Sequence, residues 1–291
     1  MRTIILTTES GTDLSKDRAR ELGIHVIPMH VVFGDTSRDD GSFPVTEVFD
    51  YFKRTKRIPT TSAVNPHEYI EFFSALRKES PDADIVHIAY TSLASSTCQN
   101  AAAALEEMND PHIFLIDSYN ISGGISLLCE KAAAIAASAA DGAEAVREIT
   151  ALTKRARVSF LPATLEYLKA GGRVSNAAYL GASLLRLKPL INITEGRLVA
   201  SKKYRGTMSH VIGSYFDDFV ERSRPDRSLL YLFYVEGFSP ELLEKLKDRA
   251  REYGFEKILV TECGCVISCH GGPGALGLAC FEQAGPSPEG H

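Results

Sequence analysis

Hydroxyl-bearing side chains are concentrated in two short segments of the chain. Residues 59–62 read PTTS, and residues 91–97 hold five Ser or Thr side chains directly after an apolar run. Such loops offer side-chain O–H groups and backbone N–H groups as hydrogen-bond donors. A helix that begins at such a loop adds unpaired N–H groups and the positive end of its dipole. Both segments therefore predict anion binding, with a simple capped turn as the alternative for each.

An arginine and a histidine lie in glycine-rich segments of the second half. Arg173 follows Gly171 and Gly172, and paired glycines permit backbone conformations that other residues avoid. His270 opens residues 270–277, which read HGGPGALG. A histidine so placed can donate a hydrogen bond to a carboxylate or act as a base. A surface turn for the arginine and a packed side chain for the histidine are the structural alternatives.

The elements that must position these residues differ between the two halves of the chain. The first half alternates strand-like runs, at 3–7, 24–33, 84–89 and 112–117, with helical stretches at 15–22, 46–54, 65–79, 123–140 and 142–156. This order predicts a mostly parallel, helix-covered sheet. The second half has strand-like runs at 158–161, 190–194, 198–204, 229–236, 257–262 and 276–281, and helices at 209–222 and 240–253. We therefore predict an α/β fold of two domains, an N-terminal, mostly parallel α/β domain (1–156) and a C-terminal α+β domain (157–282), with a flexible tail at 283–291.

Charge and hydropathy exclude several classes of partner. The 291 residues carry a formal net charge of −5, and Lys and Arg form no dense run. Nucleic acid and anionic membranes both select positive surfaces, so neither is the expected partner. The longest apolar stretch, at 127–140, is too short to span a bilayer and contains Glu130 and Lys131. The first residues have no signal-peptide pattern, so we expect a cytoplasmic protein with six reduced cysteines.

Seven short motifs, in order and spacing, resemble the DegV family of bacterial fatty-acid-binding proteins. They are TES at 8–10, PTTSAVNP at 59–66, TSLASSTCQ at 91–99, IDS at 116–118, LEYLKAGGRVS at 165–175, KP at 188–189 and HGGPGALG at 270–277. The resemblance covers nearly the whole chain. It implies two domains with a fatty acyl chain buried between or beneath them.

The resemblance also implies roles for individual residues. The ligand is a long-chain fatty acid such as palmitate, stearate or oleate, and there is no cofactor, metal or catalytic residue. Family members pass the bound acid to a separate ATP-dependent fatty-acid kinase. Carried over to this sequence, the residues that bind the carboxylate are Thr61, Ser62, Ser95, His270 and Arg205. Arg173 becomes a candidate docking contact for the kinase.

Three positions depart from the family pattern. Glu9 replaces the aspartate of the opening TDS, Ala63 replaces a glutamine, and Ser96 replaces a glycine near the head group. The key hydroxyls are kept, so the prediction of carboxylate binding stands, whereas chain preference is left open.

Other functions are possible for the same residues. Ser95 or Ser62 with His270 as base could form a hydrolase, but no GxSxG elbow is present and no orienting acid is evident. The spacing of Cys263, Cys265 and Cys269 before His270 could suggest zinc, but the segment is expected to lie on or beside the strand at 257–262. A regulatory module that holds lipid without delivering it is a further alternative. We predict a carrier that performs no chemistry itself.

Overall fold

The computed structural model describes residues 2–180 and 187–284. In these ranges the chain forms thirteen strands: β1 (Ile4–Glu9), β2 (Ile24–Ile27), β3 (His30–Phe33), β4 (Thr36–Asp39), β5 (Thr60–Ser62), β6 (Asp84–Ala89), β7 (Ile113–Asp117), β8 (Ala156–Leu161), β9 (Leu187–Thr194), β10 (Arg197–Arg205), β11 (Pro225–Tyr234), β12 (Ile258–Glu262) and β13 (Leu276–Glu282). Most of the predicted flexible tail, residues 285–291, lies outside the described residues.

Ten α-helices connect the strands over the same ranges: α1 (Lys16–Leu22), α2 (Thr46–Thr55), α3 (Pro66–Glu79), α4 (Thr97–Met108), α5 (Gly123–Ser138), α6 (Gly142–Thr153), α7 (Glu166–Gly171), α8 (Met208–Ser223), α9 (Pro240–Glu252) and α10 (Cys265–Gly271). Several begin at side chains suited to the position. Asn65 accepts from the Glu68 amide while Glu68 accepts from the Asn65 amide, and Pro66 occupies the first turn, where no N–H is needed.

The parallel sheet of the first half has the strand order β2-β1-β6-β7. All its pairings are parallel, and all six residues of the inner strand β6 are buried. Helices α4, α5 and α6 pack against it. Because helices cover a sheet of this kind, its inner strands are buried, and apolar residues predominate in β6, as predicted for 84–89.

The large sheet of the second half has the order β10-β9-β8-β13-β11-β12 and is antiparallel except for the β11–β12 pair. β9 and β10 form a hairpin around Glu195 and Gly196, which have φ angles of 48° and 78°. Positive φ at both central residues matches the twist of a two-residue hairpin turn. The fold is therefore α/β with two domains, and the boundary at 156/157 remains a prediction.

A third sheet, of order β4-β3-β5, corrects the prediction of one strand over 24–33. That segment forms two strands in different sheets, β2 in the parallel sheet and β3 in the small one. Pro28 lies between them and has no N–H to donate to a ladder, so the strand breaks there. The PTTS segment, predicted as a loop, contains β5, which pairs with β3.

The stretch from Cys263 to His270 is a second correction. We expected it to lie on or beside a strand, but β12 ends at Glu262 and α10 follows. Helix α10 packs against β3, β5, α2 and α7, and α5 contacts β1, β8, β11 and β13. These two helices therefore connect the first half of the chain to the second.

Candidate functional site

A cavity of about 300 Å³ lies where the three sheets meet. Loops after β6 and β7 contribute to it, in keeping with the tendency of α/β folds to form sites at the carboxyl ends of parallel strands. Much of its wall is apolar and includes Met29, Tyr90, Ile121, Phe160, Phe233 and Val266. Its polar lining includes Thr61, Ser62, Ser95, Ser96, Arg173 and His270.

Thr61 and His270 are joined directly although they are far apart in sequence. The Oγ1 atom of Thr61 lies 2.9 Å from Nε2 of His270. Thr61 is held by β5 and His270 by the last turn of α10. The sequence predicted both residues for one site, and the structure places them in contact.

The other nitrogen of His270 is enclosed. Nδ1 is buried and has no hydrogen-bond partner among the described residues. It lies against Gly171, where a Cβ atom would come within 2.4 Å of it, so a glycine at 171 permits this close backbone approach. Burial, and then the nearby charge of Arg173, lowers the pKa of His270 to about 4. His270 is therefore neutral near pH 7.

Ser95 lies beside the start of α4. Its Oγ atom is 2.5 Å from Oγ1 of Thr97 and also accepts from the Thr97 amide at 3.3 Å. Ser96, at the N-cap of α4, makes no side-chain capping hydrogen bond. The amino end of a twelve-residue helix thus faces the polar part of the cavity, where its dipole favours negative charge.

Arg173 connects the loop that carries Ser95 to the glycine pair at 171–172. Its guanidinium donates to the carbonyl oxygen of Gly171 at 2.5 Å, and Nε lies 3.5 Å from the carbonyl oxygen of Ala94. The residue is exposed, yet its side chain forms part of the cavity lining. The polar group of the cavity lining therefore includes Thr61, His270, Arg173 and Ser95.

Arg205 does not join this group. It is exposed at the end of β10 and does not line the cavity, although the family resemblance placed it near the head group. Ser62 lines the cavity and is also exposed.

The substitutions at 63 and 96 both fall on the cavity lining, whereas Glu9 lies in a buried network next to it. Glu9 accepts from the hydroxyl of Tyr69 at 2.6 Å, from Nε2 of His87 at 2.9 Å and from the amide of Tyr90 at 2.9 Å. Burial alone would raise the pKa of Glu9, but the His87 charge and these hydrogen bonds outweigh it and hold the pKa below its usual value. Because Tyr90 lines the cavity, this network fixes part of the cavity wall.

Two buried carboxylates that sequence reasoning missed hold α10 in place. Asp13 accepts from the Gly264 amide at 2.7 Å and the Ser122 hydroxyl at 2.5 Å. Asp40 accepts from the Cys265 amide at 2.8 Å. Acceptors at a helix start satisfy its free N–H groups. Burial raises the pKa of Asp13 to about 7 and also raises the pKa of Asp40.

The cysteines near His270 have separate partners. The thiol of Cys265 donates to the carbonyl oxygen of Phe43, and Sγ of Cys263 lies 3.7 Å from Oγ of Ser122. All six cysteines are free and buried, and burial raises the pKa of Cys269. In the part of the chain that the structure describes, no three His, Cys, Asp or Glu side chains are grouped as metal ligands.

The hydrolase alternative finds little geometric support. Nε2 of His270 contacts Thr61, not Ser62 or Ser95, and no carboxylate contacts Nδ1. A pKa of about 4 also makes His270 a weak base at neutral pH.

These features define a two-domain α/β protein with a cavity that is largely apolar and has one polar group at its wall. The model of the DegV family of uncharacterised proteins matches residues 3–283, and the chain belongs to that family. Among the described residues, no helix has the length and apolar character needed to cross a membrane.

Sequence and structure comparisons agree with this assignment. The chain is 28% identical over 284 residues to a DegV domain-containing protein of Caldanaerobacter subterraneus, covering 97% of this chain and all of the relative. A DegV family protein from Thermus thermophilus, described as binding fatty acid, superposes with a TM-score of 0.84 at 26% identity, over 97% of this chain and all of the other. DegV of Bacillus subtilis, described as a fatty-acid-binding protein, has a TM-score of 0.82 at 26% identity, with the same coverage.

Proposed function

We propose that the protein carries one long-chain fatty acid, such as palmitate, stearate or oleate, in the cavity and presents it to a separate fatty-acid kinase. The observation that carries the proposal is that a cavity with apolar walls is also lined by the hydroxyl groups of Thr61 and Ser95 and the imidazole of His270. Relatives from Thermus thermophilus and Bacillus subtilis are described as binding fatty acids, which supports the same ligand class here.

The hydrogen bonds suit a carboxylate acceptor. With its proton on Nε2, neutral His270 donates to Thr61, and the Thr61 hydroxyl proton is then available to the ligand. The Oγ atom of Ser95 accepts a hydrogen bond from the Thr97 amide. When the Thr97 hydroxyl also donates to this atom, the hydroxyl proton of Ser95 is available to the ligand. Neutral donors aimed at an anion make charge-assisted hydrogen bonds, which are stronger than neutral ones. In this arrangement His270 acts through Thr61.

Burial of the acyl chain supplies the affinity. A palmitate-sized ligand has on the order of 14 methylenes, each worth about 0.8 kcal/mol when removed from water, or roughly 11 kcal/mol in total. Ordering the chain and fixing the ligand oppose this gain. The polar group therefore mainly fixes the orientation of the ligand.

The kinase interaction is the finer part of the proposal. Arg173 is exposed beside the polar end of the cavity and is fixed to backbone carbonyl groups. A guanidinium so placed can bind an acidic or phosphorylated partner close to the carboxylate that is to be modified. A regulatory module that only holds the lipid would need no such partner. Phosphorylation of the bound acid by a kinase would therefore distinguish a carrier from a regulatory module.

Ser95→Ala tests the carboxylate site. We expect it to weaken fatty-acid binding by about 1.5–3 kcal/mol, because it removes a donor to a charged group. Ser92→Ala is the matched control, since Ser92 lies in the same loop but not on the cavity lining. Calorimetric titration of the delipidated protein with palmitate measures both. Equal affinities for the wild type and Ser95→Ala would remove Ser95 from the site.

Arg173→Ala tests the docking role. We expect a change in palmitate affinity of at most about 1 kcal/mol, because exposed charges interact weakly through water. Phosphorylation of the bound acid by an added fatty-acid kinase should slow much more. Loss of the ligand from this variant would instead assign Arg173 to the head group, and unchanged phosphorylation would remove it from the docking surface.

A further inference from the structure

Phe233 occupies a slot between two glycines at the cavity wall. It lies on β11, directly opposite Gly277 of β13 in the large sheet. A Cβ atom at Gly277 would lie 2.0 Å from Cζ of Phe233, and one at Gly123, the first residue of α5, would lie 2.3 Å from Cδ1. The ring therefore occupies space that the side chain of any larger residue at 123 or 277 would take.

Each side of the ring is bounded by a different element. Gly277 lies on one side within the sheet, and α5 packs over β11 and β13 on the other. The remaining free side is the cavity, which Phe233 lines together with Phe160, the residue opposite Gly277 on β8. We therefore expect a ring displaced from the slot to move into the cavity, and removal of the ring to extend the cavity toward α5.

The size of the cavity makes this position important. Ligand pockets span roughly 300–1,000 Å³, and the cavity has about 300 Å³. An added or removed aromatic ring is a large change on that scale. Each methylene that the cavity can bury raises affinity by roughly fourfold, and a methylene left outside gains nothing.

We propose that the Phe233 ring, seated between Gly123 and Gly277, sets the longest acyl chain that the cavity accepts. This inference rests on the proposed function, since it names the residue that determines selectivity within the same cavity. Selectivity then depends on a wall residue outside the polar group.

Substitution of Phe233 and substitution of Gly277 should shift the chain-length limit in opposite directions. The delipidated wild type is titrated calorimetrically with saturated acids from dodecanoic to eicosanoic acid, and the length at which affinity stops rising is recorded. In Phe233→Ala this limit should move up by at least one methylene, with roughly a fourfold gain for the longer acid. In Gly277→Ala it should move down, because the added methyl group displaces the ring into the cavity.

A double variant separates selectivity from misfolding. Phe233→Ala combined with Gly277→Ala has no ring to displace, so it should regain a limit at or above that of the wild type. Far-UV circular dichroism checks that each variant is folded. Should Phe233→Ala not fold, Phe233→Leu replaces it, because it removes less volume and should still raise the chain-length limit.

The outcomes distinguish the inference from the function on which it rests. If the wild type binds fatty acids and all folded variants keep its limit, the inference is overturned and the carrier function stands. If the wild type binds no fatty acid of any length, both are overturned.

Discussion

Replacement of Glu9 by alanine is expected to lower the free energy of unfolding by about 3–5 kcal/mol. The carboxylate is fully buried and accepts hydrogen bonds from Tyr69, His87 and the Tyr90 amide. Removing the acceptor leaves three buried donors without a partner, and each keeps its desolvation cost. Urea denaturation, read as a fall in the midpoint at constant slope, measures the effect.

Glu9→Gln is the matched control because it keeps the shape and one acceptor oxygen. It should lose less stability than Glu9→Ala. The folded-state pKa of Glu9 is below its usual 4.5, so its contribution is fully present above that value and is lost as pH falls through the folded-state pKa. The gap between wild type and Glu9→Ala should narrow in acid. A loss below about 1 kcal/mol at pH 7 would contradict the role given to this network.

Asp40→Ala should lower the free energy of unfolding by about 3 kcal/mol and also weaken fatty-acid binding. Asp40 accepts from the Ser10 hydroxyl at 2.8 Å and the Cys265 amide at 2.8 Å, with the Val266 amide at 3.4 Å. Without it the first turn of α10 loses its buried acceptor. Because α10 carries His270, the contact with Thr61 should loosen as well.

Asp40→Asn keeps an acceptor oxygen facing the Cys265 amide and should preserve most of both properties. Urea denaturation and palmitate titration on the three proteins make the comparison. Wild-type palmitate affinity in a destabilised Asp40→Ala protein would show that α10 does not depend on this carboxylate for its position at the cavity.

Much of the fold could be predicted because its signals are local. The limits of β6 matched the prediction for 84–89, and α3 began where Asn65 and Pro66 indicated. Predictions were wrong where contacts between residues distant in sequence determine the structure. The break at Pro28 places β2 and β3 in different sheets, and α10 has only seven residues, too few to show helix periodicity.

The motifs drew attention to residues that line the cavity, but not to the residues that hold them in place. Thr61, Ser62, Ser95 and His270 all line the cavity, as does Arg173. Asp13 and Gly264 are 251 residues apart, and Asp40 and Cys265 are 225 apart. No local sequence pattern connects such residues. The slot that holds the Phe233 ring likewise depends on Gly123 and Gly277, whose role is evident only from the strand pairing and the packing of α5.

Identification of a bound lipid tests the carrier function most directly. The purified protein is denatured and extracted with organic solvent, and the extract is analysed by mass spectrometry against a protein-free blank. We predict about one long-chain fatty acid per chain, bound in the cavity of about 300 Å³ that the polar group lines. An extract without lipid, from a protein that also fails to take up added palmitate or oleate, would contradict it.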